Sequence, residues 1–174
     1  MSNATMEKAI KLAVVTGLRT MLGPALLARA HRRPGHAELA LAAIGEMILD
    51  KQPLMPRRDS LLPLVARGLA GAWVARRCYE DDGIHEPWAG PLGAIVAIGT
   101  ASAAPRIRQA LGWTLGIPDP LIGLAEDAFA LKLGADAVGL SLEDLEHAAR
   151  ESFDRVKEQV LPAPQPQSAG AGSM

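Results

Sequence analysis

Glycine and alanine recur one helical turn apart in this chain, as Gly93-Ala97-Ala101 and again as Gly71-Ala75. Residues four apart share a helix face, so each set forms a smooth strip along which a second helix can approach backbone to backbone. A close-packed helical bundle is the architecture that uses such strips. The rest of the sequence agrees. The chain is 49% hydrophobic but only 3% aromatic, and its apolar residues are largely Ala and Leu, which favour helix over strand. Its 174 residues suffice for one core.

Periodicity and punctuation predict about five short Gly/Ala-rich helices and a final amphipathic one, an all-α bundle. Lys8 to Ala30 reads as a single helix, apolar almost all round from Leu12 to Leu27, interrupted by Arg19 and kinked at Pro24. Ala37 to Lys51 is the second helix and ends before Pro53 and Pro56. Leu61 to Arg77 is the third, with Pro63 in its first turn, where a missing donor is harmless. The fourth begins near Ala89; Pro105 breaks or bends it, and Arg106 to Gly116 continues as a short helix. Pro118-Asp119-Pro120 opens the fifth, Leu121 to Leu140. The main helical domain thus spans residues 8–140. Ser141-Leu142-Glu143-Asp144 resembles a helix cap and opens an amphipathic helix over 141–161, with pairs Glu146/Arg150 and Glu151/Arg155 on its wet face. Residues 162–174, rich in Pro, Gln, Gly and Ser, are expected to be disordered.

Several function classes are disfavoured. A net charge of −1 supplies no basic field for nucleic acid. Cys78 is the single cysteine, so no internal disulfide forms, and the four histidines lack metal-ligand spacing. No cofactor motif is present: Gly90-Pro91-Leu92-Gly93 has neither the preceding strand nor the Lys of a phosphate loop. Glu126 and Asp127 are adjacent, so on a helix they diverge by about 100° and do not converge on one atom without a third element. Catalysis is not expected. Met1 to Lys11 is polar and lacks the pattern of a cleavable signal.

One resemblance goes further. Gly17-Leu18-Arg19 with Gly23-Pro24, then Glu46 and Asp50-Lys51 with Pro53, Pro56 and Arg58, then Arg67 with Gly71-Ala72, and finally Glu126-Asp127-Ala128 resemble the ordered landmarks of the bacterial family called domain of unknown function 4126. The stretch from Asp50 to Arg58 is the most specific, and the likeness covers about residues 12–140. Leu61 and Leu62 stand where that family often has prolines, and the helix after Ser141 looks like an addition. The resemblance implies a small multi-spanning protein of the bacterial inner membrane, uncharacterised in activity. The expected partners are then the lipid bilayer and a second copy bound through the strips formed by Gly71, Ala75, Gly93, Ala97 and Ala101. Against this, no segment reaches the clean run of about 20 apolar residues of an upright span.

In a bilayer, six internal charges would need an explanation: Arg19, Glu46, Asp50, Arg67, Glu126 and Asp127. Each costs roughly 2.5–3.5 kcal/mol at the membrane centre, on the order of 15–20 kcal/mol unpaired. They must therefore pair with one another, line a water-filled cavity or lie near the interface. Four carboxylates face two guanidinium groups, so pairing alone does not neutralise the set unless Lys51 or Arg58 joins it or a carboxylate is protonated. A surplus carboxylate points to an ion or small-solute path; full pairing points to structural staples that fix helix register. The alternative reading is a non-catalytic helical interaction or structural module, soluble or peripheral and cytoplasmic, whose last helix docks a partner or a membrane surface.

Overall fold

The computed structural model describes residues 3–49 and 61–160. Those residues form seven helices and no strand: α1 (Asn3–Leu18), α2 (Leu22–Ala30), α3 (His36–Leu49), α4 (Leu61–Asp81), α5 (Ala89–Leu115), α6 (Asp119–Val138) and α7 (Leu142–Val160). The all-helical bundle expected from composition is therefore present. Asp50, Lys51, Arg58 and the tail at 162–174 lie outside the described residues.

Helix α1 is the axis, packed against α4, α5 and α6. Leu12, Ala13, Val15 and Thr16 are buried on all its sides, as expected of a helix apolar almost all round. One half of the core gathers Leu12, Leu27, Val74, Cys78 and Tyr79, with Trp88 edge-on to Tyr79 at 5.3 Å. The other half gathers Val15, Leu22, Leu26, Ala43 and Ala130.

The small-residue strips are consumed inside the chain. A Cβ placed on Gly71 would stand 2.6 Å from the Gly93 carbonyl oxygen and 2.5 Å from the Ala97 Cβ. On Gly17 it would stand 2.5 Å from the carbonyl oxygen of Ala97. Helices α1, α4 and α5 thus meet at Ala97, which is fully buried, and at that distance only hydrogen fits. Ala75 and Ala101 are buried along the same contacts.

Two boundaries differ from expectation. The stretch Lys8 to Ala30 is two helices, with the break at Arg19-Thr20-Met21. The Glu46 carboxylate on α3 accepts hydrogen bonds from the Thr20 and Met21 backbone N–H groups, each at 2.8 Å. It thereby caps α2 from a distance. Pro24 falls in the first turn of α2, where no donor is needed, so it does not kink a long helix but helps to begin a short one. Conversely, α5 runs unbroken through Pro105 to Leu115 and ends at Gly116 in a left-handed cap, φ 64°.

The expectation of a bilayer-embedded bundle is overturned. No described helix is long and apolar enough to cross a membrane. The physical reason is charge spacing: Arg67 divides α4, Arg106 and Arg108 end the uncharged part of α5, and Glu126, Asp127 and Lys132 punctuate α6. Tight Gly/Ala packing arises here from three helices crossing at one point, which requires no lipid.

Candidate functional site

The most connected polar feature joins α1, α5 and α6. Arg19, directly after the end of α1, is 2% exposed. Its Nε donates to Asp127 Oδ1 at 2.6 Å, its Nη2 contacts the same oxygen, and its Nη1 donates to the Leu18 carbonyl at 3.3 Å. Glu126, one position earlier on α6, is turned toward α5. It lies 4.0 Å from Arg19 Nη1 and 3.7 Å from Arg108 Nη1. Arg108 in turn donates through Nε and Nη2 to the Asp119 carboxylate at 2.6 and 2.8 Å. The result is a ladder of alternating sign, Asp127, Arg19, Glu126, Arg108, Asp119, spanning three helices.

Its charge balance answers the question raised by the sequence. The four members Arg19, Arg108, Glu126 and Asp127 are two cations and two anions, each at most 20% exposed at its side chain. Asp119 is the solvated end, 72% exposed. Glu46 belongs elsewhere, on the α2 N-terminus. Among the described charges the surplus carboxylate that would motivate an ion path is absent, and with no spanning helix that path is withdrawn. Arg67 is 5% exposed on α4; Asp50 and Arg58 lie outside the described residues.

Of the sequence-predicted residues, the structure brings together Arg19, Glu126 and Asp127. It adds Arg108 and Asp119, which the sequence places in a short helical continuation and at a helix start. Their signal is visible in retrospect: Gly116-Ile117-Pro118 is a tight turn, and eleven residues separate Arg108 from Asp119 across it. Gly123 completes the fit, because a Cβ there would stand 2.7 Å from Arg108 Nη2.

A second polar feature fastens α7. Glu151 receives a hydrogen bond from Arg29 Nη1 at 2.6 Å and lies 3.4 Å from His36 Nε2. Arg29's hydrogen bond holds the Glu151 carboxyl below its ordinary pKa. Ser152, fully buried, donates to the Ala148 carbonyl at 2.7 Å. The α7 start is a reciprocal cap: Asp144 N–H donates to Ser141 Oγ at 3.1 Å, and Ser141 N–H to Asp144 Oδ2 at 2.8 Å. These bonds hold Asp144 below the usual carboxylate range.

Apart from a more polar hollow of about 450 Å³ beside Arg76, Glu80 and His85, two further concavities stand out. A trough of about 640 Å³ lies between α2, α3, α6 and α7 over Leu26, Ala43, Leu131 and Ala135, with Lys132, Asp136 and Glu146 at its rim. A groove of about 440 Å³ runs beside the ladder between α1, α5 and α6, walled by Leu18, Ile107, Leu111 and Phe129. Both are apolar. In neither does a nucleophile face a base, and among the described residues no group of three His, Cys, Asp or Glu side chains is placed to hold a metal ion. Cys78 is buried in the core, where desolvation pushes its thiol up to about 12. The site can fix helices in register; the surface around it can dock.

The surface is the part sequence reasoning missed. Among the described residues, apart from Ile48 and Phe153, every exposed large apolar side chain lies on α4, α5, α6 or the turn joining the last two. On α4, Leu62, Val65, Leu69 and Trp73 follow a three- and four-residue spacing on the face opposite buried Arg67, Gly71, Val74 and Cys78. Trp113, near the end of α5, is 94% exposed.

Comparison of the chain with family models, with curated proteins and with solved structures gives no match.

Proposed function

We propose that this chain is a non-catalytic helical interaction module: a bundle locked by an internal charge ladder that presents apolar helix faces to a protein partner. The observation that carries the reading is the segregation of exposed large apolar side chains onto α4, α5 and α6. Apolar residues scattered singly over a surface mean little, but a concentration on adjoining helices marks a docking surface. The ladder supports the same reading. Balanced internal ion pairs specify register more than they stabilise, and a rigid scaffold presents a surface at little ordering cost.

Site-specific photocrosslinking in cells tests this. A photoreactive side chain at Leu69 or at Trp113 should give discrete adducts, whereas one at exposed Lys132 should give none. No adduct from either apolar position, or equal labelling from all three, would overturn the reading.

A further inference from the structure

We infer that the outer face of the α4–α5 pair is a self-association surface, through which two copies of this chain pair about a two-fold axis. The inference rests on the interaction-module reading and names its partner.

Helices α4 and α5 pack along each other, and both pack on α1. Among the described residues no other helix lies over their outer sides. On that side stand Leu62 (79% exposed), Val65, Leu69 (68%) and Trp73 of α4, and Ile95 (70%) and Ile98 of α5. The Ile98 side chain lies over Gly68, so the two sets adjoin.

Two observations select a second copy as the occupant. The first is charge. Between Ala89 and Pro105, α5 has no ionisable residue, and between Leu61 and Ala75 α4 has only Arg67, which is turned inward. In a two-fold contact the same patch meets itself, so a patch of one sign would be repelled, whereas a charge-free patch meets its copy without repulsion. Among the described residues both signs appear at one end of the face, where Arg76 and Arg77 pair with Glu80 and Arg77 sits 5.8 Å from the Trp73 ring centroid.

The second is area. A standard interface buries about 800 Å² on each partner, and homodimer contacts are about 65% apolar, which asks for roughly 500 Å² of apolar surface. With about 60–120 Å² for a whole aliphatic side chain and about 200 Å² for Trp, the exposed fractions of these six supply on the order of 400 Å². The intervening Ala66, Ala70 and Ala94 bring the face close to the requirement.

The test is the mass of the full-length chain by light scattering and sedimentation equilibrium, for the parent, Leu69→Asp, Ile95→Asp and Trp113→Asp. The parent and Trp113→Asp should be dimers. Leu69→Asp and Ile95→Asp should weaken the dimer by at least ~30-fold, the loss set by one central interface residue, with unchanged helical circular dichroism and a melting temperature that no longer depends on protein concentration. Since both side chains are solvent-exposed in the monomer, loss of folding is not expected, and the spectra check it. A monomeric parent, or a dimer indifferent to Leu69→Asp and Ile95→Asp but broken by Trp113→Asp, would overturn the inference. Photocrosslinks from Leu69 or Trp113 to a different protein in that case would leave the interaction module standing; the absence of adducts from both positions would remove both readings.

Discussion

Arg19 and Asp127, 108 residues apart in sequence, are joined inside the bundle by a hydrogen bond of 2.6 Å from Nε to Oδ1. Each is almost fully shielded from water. A buried pair of this kind adds little net stability over apolar residues of the same shape, yet removing one partner strands the other's charge. Arg19→Met should therefore cost about 3–5 kcal/mol in urea unfolding, while Arg19→Met combined with Asp127→Leu should recover most of the loss. Additive losses in the double variant would show that the two residues do not act as a pair.

The glycines divide into two kinds that a single substitution separates. A methyl group at Gly71 would stand 2.6 Å from the Gly93 carbonyl oxygen, so Gly71→Ala should destabilise by about 1–3 kcal/mol through forced separation of α4 and α5. Gly99 on α5 has nothing within 4 Å of such a methyl group, and Gly99→Ala should stabilise by about 0.5–1 kcal/mol. Thermal melts of both variants check the pair of signs; a stabilised Gly71→Ala would refute the close approach.

Much of this was legible in the sequence, and the failures have physical causes. Helix was readable throughout because Ala and Leu dominate and aromatics are scarce; the Ser141–Asp144 cap was readable because both halves of its reciprocal bond lie within four residues. The split of Lys8 to Ala30 was not, because the group that ends α1 and starts α2 is Glu46, more than 20 residues away in sequence. Pro105 looked like a break, but α5 continues through it into a half that Arg108 and Asp119 tie to α6. The bilayer expectation came from a family resemblance; small-residue strips and internal charges alone did not decide it. Long-range geometry explains each separately: the strips by the crossing at Ala97, the charges by the ladder and by the capping of α2. Charge counting by residue type could not assign Glu46 to a backbone partner or recruit Arg108.

Helix α7 should loosen in acid. The hydrogen bond from Arg29 depresses the folded-state pKa of Glu151 below its ordinary 4.5, so the stabilisation is fully present above that value and is lost as pH falls through the depressed folded pKa. Hydrogen exchange of α7 amides should accelerate below about pH 4.5 relative to those of α1, and Glu151→Gln should show the faster exchange already at neutral pH. The side chain is 34% exposed, so the effect is local fraying and not global unfolding. A constant ratio of α7 to α1 protection across pH 3–7 would contradict the contact.

Cys78 should be chemically silent in the folded protein. Burial raises its thiol to about 12 and leaves none of it exposed, so the thiolate fraction at pH 8 is on the order of 10⁻⁴ and out of reach of solvent. Iodoacetamide at pH 8 should leave the native chain unmodified over hours and alkylate it fully in denaturant. Rapid native labelling would mean that the α1–α4 core opens.

The most direct test of a charge-locked bundle that docks through exposed apolar faces, and does not thread a bilayer, is carbonate extraction of cells expressing the full chain. Release of the protein from the membrane pellet at high pH is the predicted result. Retention in the pellet until detergent is added would contradict the account, because it would require helices other than those described to be held in hydrocarbon.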